Sequence, residues 1–150
     1  MPATQARPDT EDVRPMKEKP NPKIVAVAII ERSGSILIGK RKRGKCHAGV
    51  WEFPGGTVED GETYEQCLLR ELREEFDVDA QIIRFICCCD YHYTPDWTVR
   101  LSAYLARVTS HNLKLNDHDE IRWVRPDELR HYLQDSASQS ILEKLSGLTG

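Results

Sequence analysis

The 150-residue sequence lacks the features that would assign it to a membrane or secreted class of protein. No apolar run approaches the ~18 residues that a membrane-spanning helix needs, so no contact with a membrane is expected. No signal-peptide hydrophobic region follows Met1, which predicts a cytoplasmic protein. Neither sign of charge dominates, since 21 Lys+Arg stand against 24 Asp+Glu, and this balance predicts no stable nucleic-acid partner.

The five cysteines also lack the spacing of a metal or redox motif. No CxxC pair occurs, and three of the cysteines, residues 87–89, are adjacent in sequence. Neighbouring side chains on a strand point to opposite faces, so this run cannot bind one ion together. We therefore predict that the cysteines are small buried apolar side chains in a reducing compartment.

The N-terminal segment, residues 1–23, holds five of the eight prolines, charges of both signs and almost no apolar side chain. Such a segment cannot bury enough apolar surface to offset the entropy lost on ordering, so we predict a flexible tail. Residues 24–150 then form a single domain that is large enough for one hydrophobic core.

Strand and helix signals alternate along this domain. A continuous run of β-branched and small apolar residues predicts a strand buried on both faces at 24–30. A helix is predicted at 63–76, because Leu68, Leu72 and Phe76 recur every four residues without an intervening Gly or Pro. The order of elements predicts an α+β fold, an α/β/α sandwich with a mixed sheet and helices on both faces. Further strands are predicted at 36–39, 51–53, 81–89, 98–108 and 121–124, helical segments at Pro126 and 140–145, a chain break at 54–56 and a loop at 91–97.

Acidic residues concentrate on and before the predicted helix. From Glu59 to Asp77 the sequence has eight acids and only two bases. On a helix, Glu71, Glu74 and Glu75 share one face, and their carboxylates repel unless a cation lies among them. An oxygen-only set of ligands suits a hard divalent cation, so we predict Mg²⁺, with Mn²⁺ as the alternative.

A solvated acidic face is the other interpretation of this helix, and three neighbouring features favour the metal. Gly55 and Gly56 precede the helix, where a backbone carbonyl can approach a cation without a Cβ in the way. Arg70 is placed to pair with Glu74 one turn further along the helix. Leu72 lies between the acids and determines which face is buried.

This stretch resembles the Nudix box of the Nudix hydrolases, with five residues between Gly56 and Glu62 and seven between Glu62 and Arg70. Residues 50–56 are similar to the entry to the box in MutT-type and CTP-pyrophosphohydrolase-type members, and the resemblance spans roughly residues 24–145. One position departs from the pattern, since Asp77 stands where the family has a glycine that ends the helix in a left-handed conformation. Aspartate tolerates this conformation better than most residues, so only a small loss of stability is expected. The matching positions are Gly56, Glu62, Arg70, Glu71, Leu72, Glu74, Glu75 and Val78.

The resemblance implies hydrolysis of a nucleoside diphosphate that is linked to a second group. Our leading hypothesis is a Mg²⁺-dependent nucleoside triphosphate pyrophosphohydrolase that sanitises nucleotide pools by releasing a nucleoside monophosphate and pyrophosphate. The same chemistry on ADP-ribose, a dinucleoside polyphosphate or an RNA 5′ end is one alternative. A non-catalytic nucleotide sensor is the other. The expected partner is a small-molecule nucleotide, and the chain is expected to be a monomer or a homodimer.

The resemblance also implies roles for individual residues of the box and of an acidic loop. Asp117 aligns best with an additional acid of the MutT-type enzymes, Asp119 and Glu120 are alternates, and a polar turn is an equally favoured interpretation of this loop. One acid of the site acts as the general base or orients it. The metal ligands are Glu71, Glu74, Glu75 and the Gly55 carbonyl, the catalytic set adds Arg70 and Asp117, and the structural positions are Gly56, Glu62 and Leu72.

Substrate contacts are implied at two further places. Arg41 lies in the basic run 40–45 and matches a MutT-type position that touches substrate phosphate, whereas a solvated edge is the alternative for the rest of the run. Ser138, Thr94 and Tyr93 are the predicted base pocket. Ser138 stands where MutT-type enzymes have an asparagine that contacts oxidised guanine, and a hydroxyl lacks the planar donor–acceptor pair of an amide. Pyrimidine triphosphates such as CTP are therefore candidate substrates as well.

Overall fold

The computed structural model of the protein describes residues 22–149, apart from the side chains of Tyr93 and residues 147–149. Almost all of the predicted tail, residues 1–23, therefore lies outside the described residues. The strands are β1 (Lys23–Arg32), β2 (Ser35–Arg41), β3 (Trp51–Glu52), β4 (Gly55–Thr57), β5 (Ala80–Thr94), β6 (Trp97–Val108) and β7 (His118–Val124), and the helices are α1 (Tyr64–Phe76), a 3₁₀ helix (Pro126–His131) and α2 (Ser136–Thr149).

Strand β1 is the centre of a mixed seven-stranded sheet. It pairs in parallel with β6 and antiparallel with β2 and β4, while β5 extends the sheet beyond β6, and β3 and β7 both pair with β2. Along β1, Ala26, Ala28 and Ile30 enter the core on one face, and Val27 and Ile29 enter the core on the other. The predicted strand with two buried faces is thus confirmed.

The helices cover both faces of this sheet. Helix α1 packs on one face through Leu68, Leu72 and Phe76, all of which are fully buried. The 3₁₀ helix and α2 pack on the opposite face through Leu129 and Ile141. The predicted α+β sandwich with helices on both faces is confirmed. Among residues 22–149, no helix combines the length and the apolar character that crossing a membrane requires.

Helix α1 begins and ends where its local sequence predicts. The Thr63 hydroxyl accepts a hydrogen bond from the Gln66 backbone N–H, and the Gln66 side chain accepts one from the Thr63 N–H, which completes a capping box. Asp77 ends the helix in the left-handed conformation, with φ 56° and ψ 46°. The substitution of aspartate for the family's glycine therefore leaves the shape of the helix end intact.

Two segments that were predicted to be irregular belong to strands. Residues 91–94 extend β5, so only Pro95 and Asp96 separate it from β6, because the aromatic and β-branched residues of the predicted loop favour extended backbone. The predicted chain break contains β4, which pairs with Ala26 and Val27. Gly55 has φ 153°, and a Cβ there would lie 2.1 Å from the Ala26 carbonyl oxygen, so this pairing requires glycine.

Strand β7 and helix α2 both begin earlier than predicted. β7 starts at His118, which places part of the predicted acidic loop in the sheet opposite β2. α2 starts at Ser136 rather than at residue 140, and the Asp135 carboxylate accepts a hydrogen bond from the Ser138 backbone N–H in its first turn. The small polar residues of this first turn carry no apolar periodicity that would have indicated a helix.

The cysteines only partly follow the prediction that they are buried. Cys67 and Cys87 are buried, and burial raises the pKa of the Cys87 thiol to about 11. Cys88 is exposed, which confirms that adjacent members of the run point to opposite faces of β5. Cys46 is also exposed, so the prediction was wrong for these two residues.

Candidate active site

Arg70 on α1 connects the acidic side chains of the helix with the loop that precedes it. Its Nε and Nη2 donate to the two carboxylate oxygens of Glu62 at 2.7 and 3.0 Å. Its Nη1 donates to Glu71 at 3.0 Å and to Glu74 at 3.3 Å. The hydrogen bonds from Arg70 lower the pKa of Glu62 to about 2. The predicted pair with Glu74 is present, but the main partner of Arg70 is Glu62, eight residues earlier in the chain.

Glu75 points into the protein, and only 3% of its surface is exposed. Its Oε1 atom has no hydrogen-bond partner among the described residues. Burial is the largest cause that raises the pKa of Glu75 to about 10, followed by the hydrogen bond and the charge of Glu71 and then the charges of Glu52 and Asp117. An unsatisfied buried polar group costs about 1–3 kcal/mol, and a cation at this place would offset that cost.

Glu71 lies directly against Gly56 at the start of the box. A Cβ at position 56 would lie 2.3 Å from Glu71 Oε2, so the glycine leaves the room that this carboxylate occupies between β4 and α1. Carboxylate oxygens with one orphaned buried atom are a donor set that fits a hard divalent cation. In the described part of the chain, no three acidic, histidine or cysteine side chains already converge in a metal-binding arrangement. Arg70 instead holds Glu71 and Glu74, while Glu75 faces inward.

Comparison with known proteins identifies the family. A family model described as the NUDIX domain matches residues 20–145. The chain belongs to the Nudix hydrolase family. It is 33% identical over 124 residues to the CTP pyrophosphohydrolase of Escherichia coli K12, and the match covers 83% of this chain and 91% of that protein. It is 37% identical over 90 residues to the 8-oxo-dGTP diphosphatase of Proteus vulgaris, and the match covers 60% of this chain and 80% of that protein.

Solved structures agree with this assignment. The solution structure of the E. coli ORF135 protein matches this Nudix domain with a TM-score of 0.72 and 33% sequence identity, over 84% of this chain and 89% of that one. The crystal structure of a MutT Nudix hydrolase from Burkholderia pseudomallei matches with a TM-score of 0.71 and 29% sequence identity. This match covers 83% of this chain and 98% of that one. The fold and the enzyme class that the resemblance implied, a Nudix hydrolase of phosphoric anhydride bonds, are therefore confirmed.

Arg41 lies at the end of β2 in this Nudix hydrolase and has two partners. Its Nε donates to the Cys46 carbonyl at 2.7 Å, and its Nη1 lies 3.3 Å from Glu52 Oε1. Residues 42–45 of the basic run are exposed, and Lys45 Nζ lies 3.5 Å from Asp117 Oδ1. The side chain of Arg41 is thus held by a carboxylate of β3, and its contact with substrate phosphate stays a prediction.

The segment before β7 binds back onto the C-terminal end of α1. The Asn116 backbone N–H donates to the Glu75 carbonyl at 3.1 Å, which satisfies one of the last carbonyls of the helix. Asp117 is thereby close enough for its charge to contribute to the raised pKa of Glu75. The alternates are directed elsewhere, since Asp119 accepts from the backbone of the basic run and Glu120 pairs within β7. Asp117 is therefore the best placed of the three acids.

Of the predicted base pocket, Ser138 lies on α2, whereas Tyr93 and Thr94 lie at the end of β5. Ser138 is buried in the first turn of α2, and the Tyr91 hydroxyl donates to the neighbouring Ala137 carbonyl at 3.1 Å. Thr94 is exposed at the end of β5, and the side chain of Tyr93 lies outside the described residues. The structure therefore places Tyr91 close to Ser138, and the base pocket stays a prediction.

Two further residues of this region, Glu52 and His118, are not indicated by any sequence motif. Glu52 lies on β3, His118 lies on β7, and their side chains are 3.1 Å apart although 66 residues separate them in sequence. The contact forms only because β3 and β7 both pair with β2. No local spacing connects the two residues, so only the strand pairing reveals them.

Proposed function

We propose that this Nudix hydrolase is a Mg²⁺-dependent nucleoside triphosphate pyrophosphohydrolase that acts on the cytoplasmic nucleotide pool. Its products are a nucleoside monophosphate and pyrophosphate. The observation that carries the proposal is the buried Glu75, which interacts with Glu71 and whose Oε1 atom has no hydrogen-bond partner in the described part of the chain. The 33% identity to a CTP pyrophosphohydrolase and the 37% identity to an 8-oxo-dGTP diphosphatase support a nucleoside triphosphate as substrate.

Glu71, Glu74, Glu75 and the Gly55 carbonyl would hold the cation, with Mn²⁺ as a substitute for Mg²⁺. When bound, the metal neutralises polyphosphate charge and lowers the pKa of the attacking water. Arg70 keeps Glu71 and Glu74 in one orientation through its hydrogen bonds.

Two residues outside the helix complete this proposed site. Arg41 supplies positive charge for the phosphates of the substrate. Asp117 is the candidate for the general base or for the acid that orients it, because its charge contributes to the raised pKa of Glu75.

The test is a turnover assay on a panel of substrates. Pyrophosphate or monophosphate release is measured for CTP, dCTP, 8-oxo-dGTP, ADP-ribose, a dinucleoside polyphosphate and a 5′-triphosphorylated RNA, each with Mg²⁺, Mn²⁺ or EDTA. We expect metal-dependent turnover of a triphosphate and a decrease in kcat of about 10²-fold or more for Glu74→Gln. Glu65→Gln is the matched control, since Glu65 is an exposed acid in the first turn of the same helix.

The outcomes separate the competing functions. Preference for ADP-ribose, the dinucleoside polyphosphate or the RNA keeps the chemistry and overturns the proposed substrate. No turnover of any substrate, with wild type and Glu74→Gln alike, overturns the enzymatic function in favour of a nucleotide sensor. Ser138→Asn tests the base pocket, because unchanged relative rates on the panel remove Ser138 from it.

A further inference from the structure

A buried histidine next to the C-terminal end of the box helix, His118, has no role in the function proposed above. Only 2% of the surface of His118 is exposed, and its Nε2 lies 3.1 Å from Glu52 Oε2. Its ring stacks on Phe76 with a centroid separation of 5.4 Å and an interplanar angle of 7°. Phe76 is the last residue of α1, so the histidine connects the end of the box helix with β3.

The ring of His118 occupies a space that a glycine provides. Gly39 on β2 is the register partner of Glu52, and a Cβ at position 39 would lie 2.5 Å from His118 Cδ2. Any larger residue at position 39 would displace the ring. Three elements, β2, β7 and α1, therefore fix the position of His118, and the ring in turn restricts the Glu52 carboxylate.

Glu52 pairs with the arginine of β2 and acts through its charge on one acid of the box. Both of its oxygens are within reach of Arg41 Nη1, at 3.3 and 3.4 Å. Its charge is also one of the causes of the raised pKa of Glu75. Arg41 and Glu52 side chains are about one third exposed, and ion pairs of this exposure contribute little to stability. The pair therefore affects the orientation of the Arg41 guanidinium more than it affects stability. Because the guanidinium is planar and rigid, the donors in the pair determine the direction of the remaining donors.

We propose that Glu52, held by the buried His118, is a positioning residue that directs Arg41 toward the phosphates of the substrate. The proposal rests on the proposed function, in which Arg41 contacts substrate phosphate. Glu52 and His118 act through Arg41 and are not themselves catalytic residues. Nη1 of Arg41 contacts Glu52, and Nε contacts the Cys46 carbonyl. In this proposal the remaining group, Nη2, contacts the substrate phosphate.

A double-mutant cycle tests the coupling between Glu52 and Arg41. Binding of methylenediphosphonate, a base-free and non-hydrolysable diphosphate analogue, is measured by calorimetry with Mg²⁺ for wild type, Arg41→Ala, Glu52→Gln and the double variant. KM and kcat for CTP are measured in parallel. We expect each single variant to raise Kd and KM about tenfold with kcat changed less than about threefold. The double variant is expected to be no worse than Arg41→Ala alone, whereas multiplying effects of about 100-fold would overturn the proposal.

A second variant tests the role of the histidine. His118→Phe keeps an aromatic ring to stack on Phe76 and removes the hydrogen bond to Glu52, so it is expected to reproduce the Kd and KM of Glu52→Gln. Unchanged binding in a folded His118→Phe protein would contradict the role of His118. Glu31→Gln is the control, because it breaks another Glu–Arg pair, with Arg107, on β1 and β6.

The binding readout separates this proposal from the proposed function. If wild type binds methylenediphosphonate but cleaves no nucleotide, the proposed function fails, and the cycle still measures the coupling. If nucleotides are cleaved and Glu52→Gln binds the analogue as tightly as wild type, the positioning role fails and the proposed function stands.

Discussion

Replacing Glu75 with glutamine is expected to stabilise the metal-free protein at neutral pH. The pKa of Glu75 in the folded chain lies far above the ordinary value of 4.5, so the folded state keeps a proton that the unfolded chain loses. The stability contributed by such a group is fully present below the unfolded pKa and falls as the pH rises toward the folded pKa. Glutamine does not ionise, and its amide still offers an N–H to Glu71, so the variant avoids this loss.

The size of the effect follows from the two pKa values. From the unfolded value of 4.5 to neutral pH, the free energy of unfolding of the wild type falls by about 3 kcal/mol, because each pH unit corresponds to about 1.4 kcal/mol. The folded pKa lies above neutrality, so the whole interval contributes. For a chain of this length the change corresponds to a shift in Tm of about 6–12 °C.

Urea unfolding in EDTA at about pH 5 and about pH 7 measures this difference. Wild type is expected to lose stability between the two pH values, and Glu75→Gln is expected to lose much less. Glu65→Gln should follow wild type, because Glu65 is exposed. The opposite result would be a Glu75→Gln variant that is less stable than wild type at neutral pH or that shows the same pH dependence. Glu75 would then be ionised and satisfied without a metal, and the main reason for placing a cation beside it would be wrong.

Three further variants test other parts of the account. Gly56→Ala would bring a Cβ to 2.3 Å from Glu71 Oε2. The Mg²⁺ concentration that half-activates turnover should therefore rise about tenfold or more in a Mg²⁺ titration. An unchanged half-activating concentration would contradict the close packing. Leu72→Ala should lower the free energy of unfolding by about 2–5 kcal/mol in urea, since Leu72 is fully buried, and a loss below about 1 kcal/mol would contradict its place in the core. Asp77→Gly should raise stability by about 0.5 kcal/mol and leave turnover unchanged, because glycine adopts the left-handed conformation without strain but has a more flexible unfolded state.

Helix α1 was predictable from sequence because local interactions determine it. The capping box at Thr63 and Gln66, the apolar stripe and the left-handed Asp77 all act within one or two turns of the helix. Strand β4 was not predictable in this way. Its two glycines predict a chain break, and they form a strand only because they pair with β1. This pairing is so close that Gly55 has no room for a Cβ.

The candidate site shows the same division between local and distant contacts. The spacing of the box acids predicts that they share one face of a helix, and the structure confirms only the predicted contact between Arg70 and Glu74. That Glu75 alone faces inward depends on how α1 packs against the sheet, which no spacing encodes. Glu52 and His118 meet only through the pairing of β3 and β7 with β2, so their contact is visible in the structure alone.

The central claim is that the box carboxylates support metal-dependent cleavage of a nucleoside triphosphate to a monophosphate and pyrophosphate. Phosphorus-31 NMR of a reaction with CTP and Mg²⁺ tests it most directly, because the pyrophosphate and orthophosphate signals are distinct. Pyrophosphate and CMP are expected to appear together with wild type. Both are expected to be lost in EDTA and nearly lost with Glu74→Gln. Orthophosphate as the first product, or an equal rate with Glu74→Gln, would contradict it.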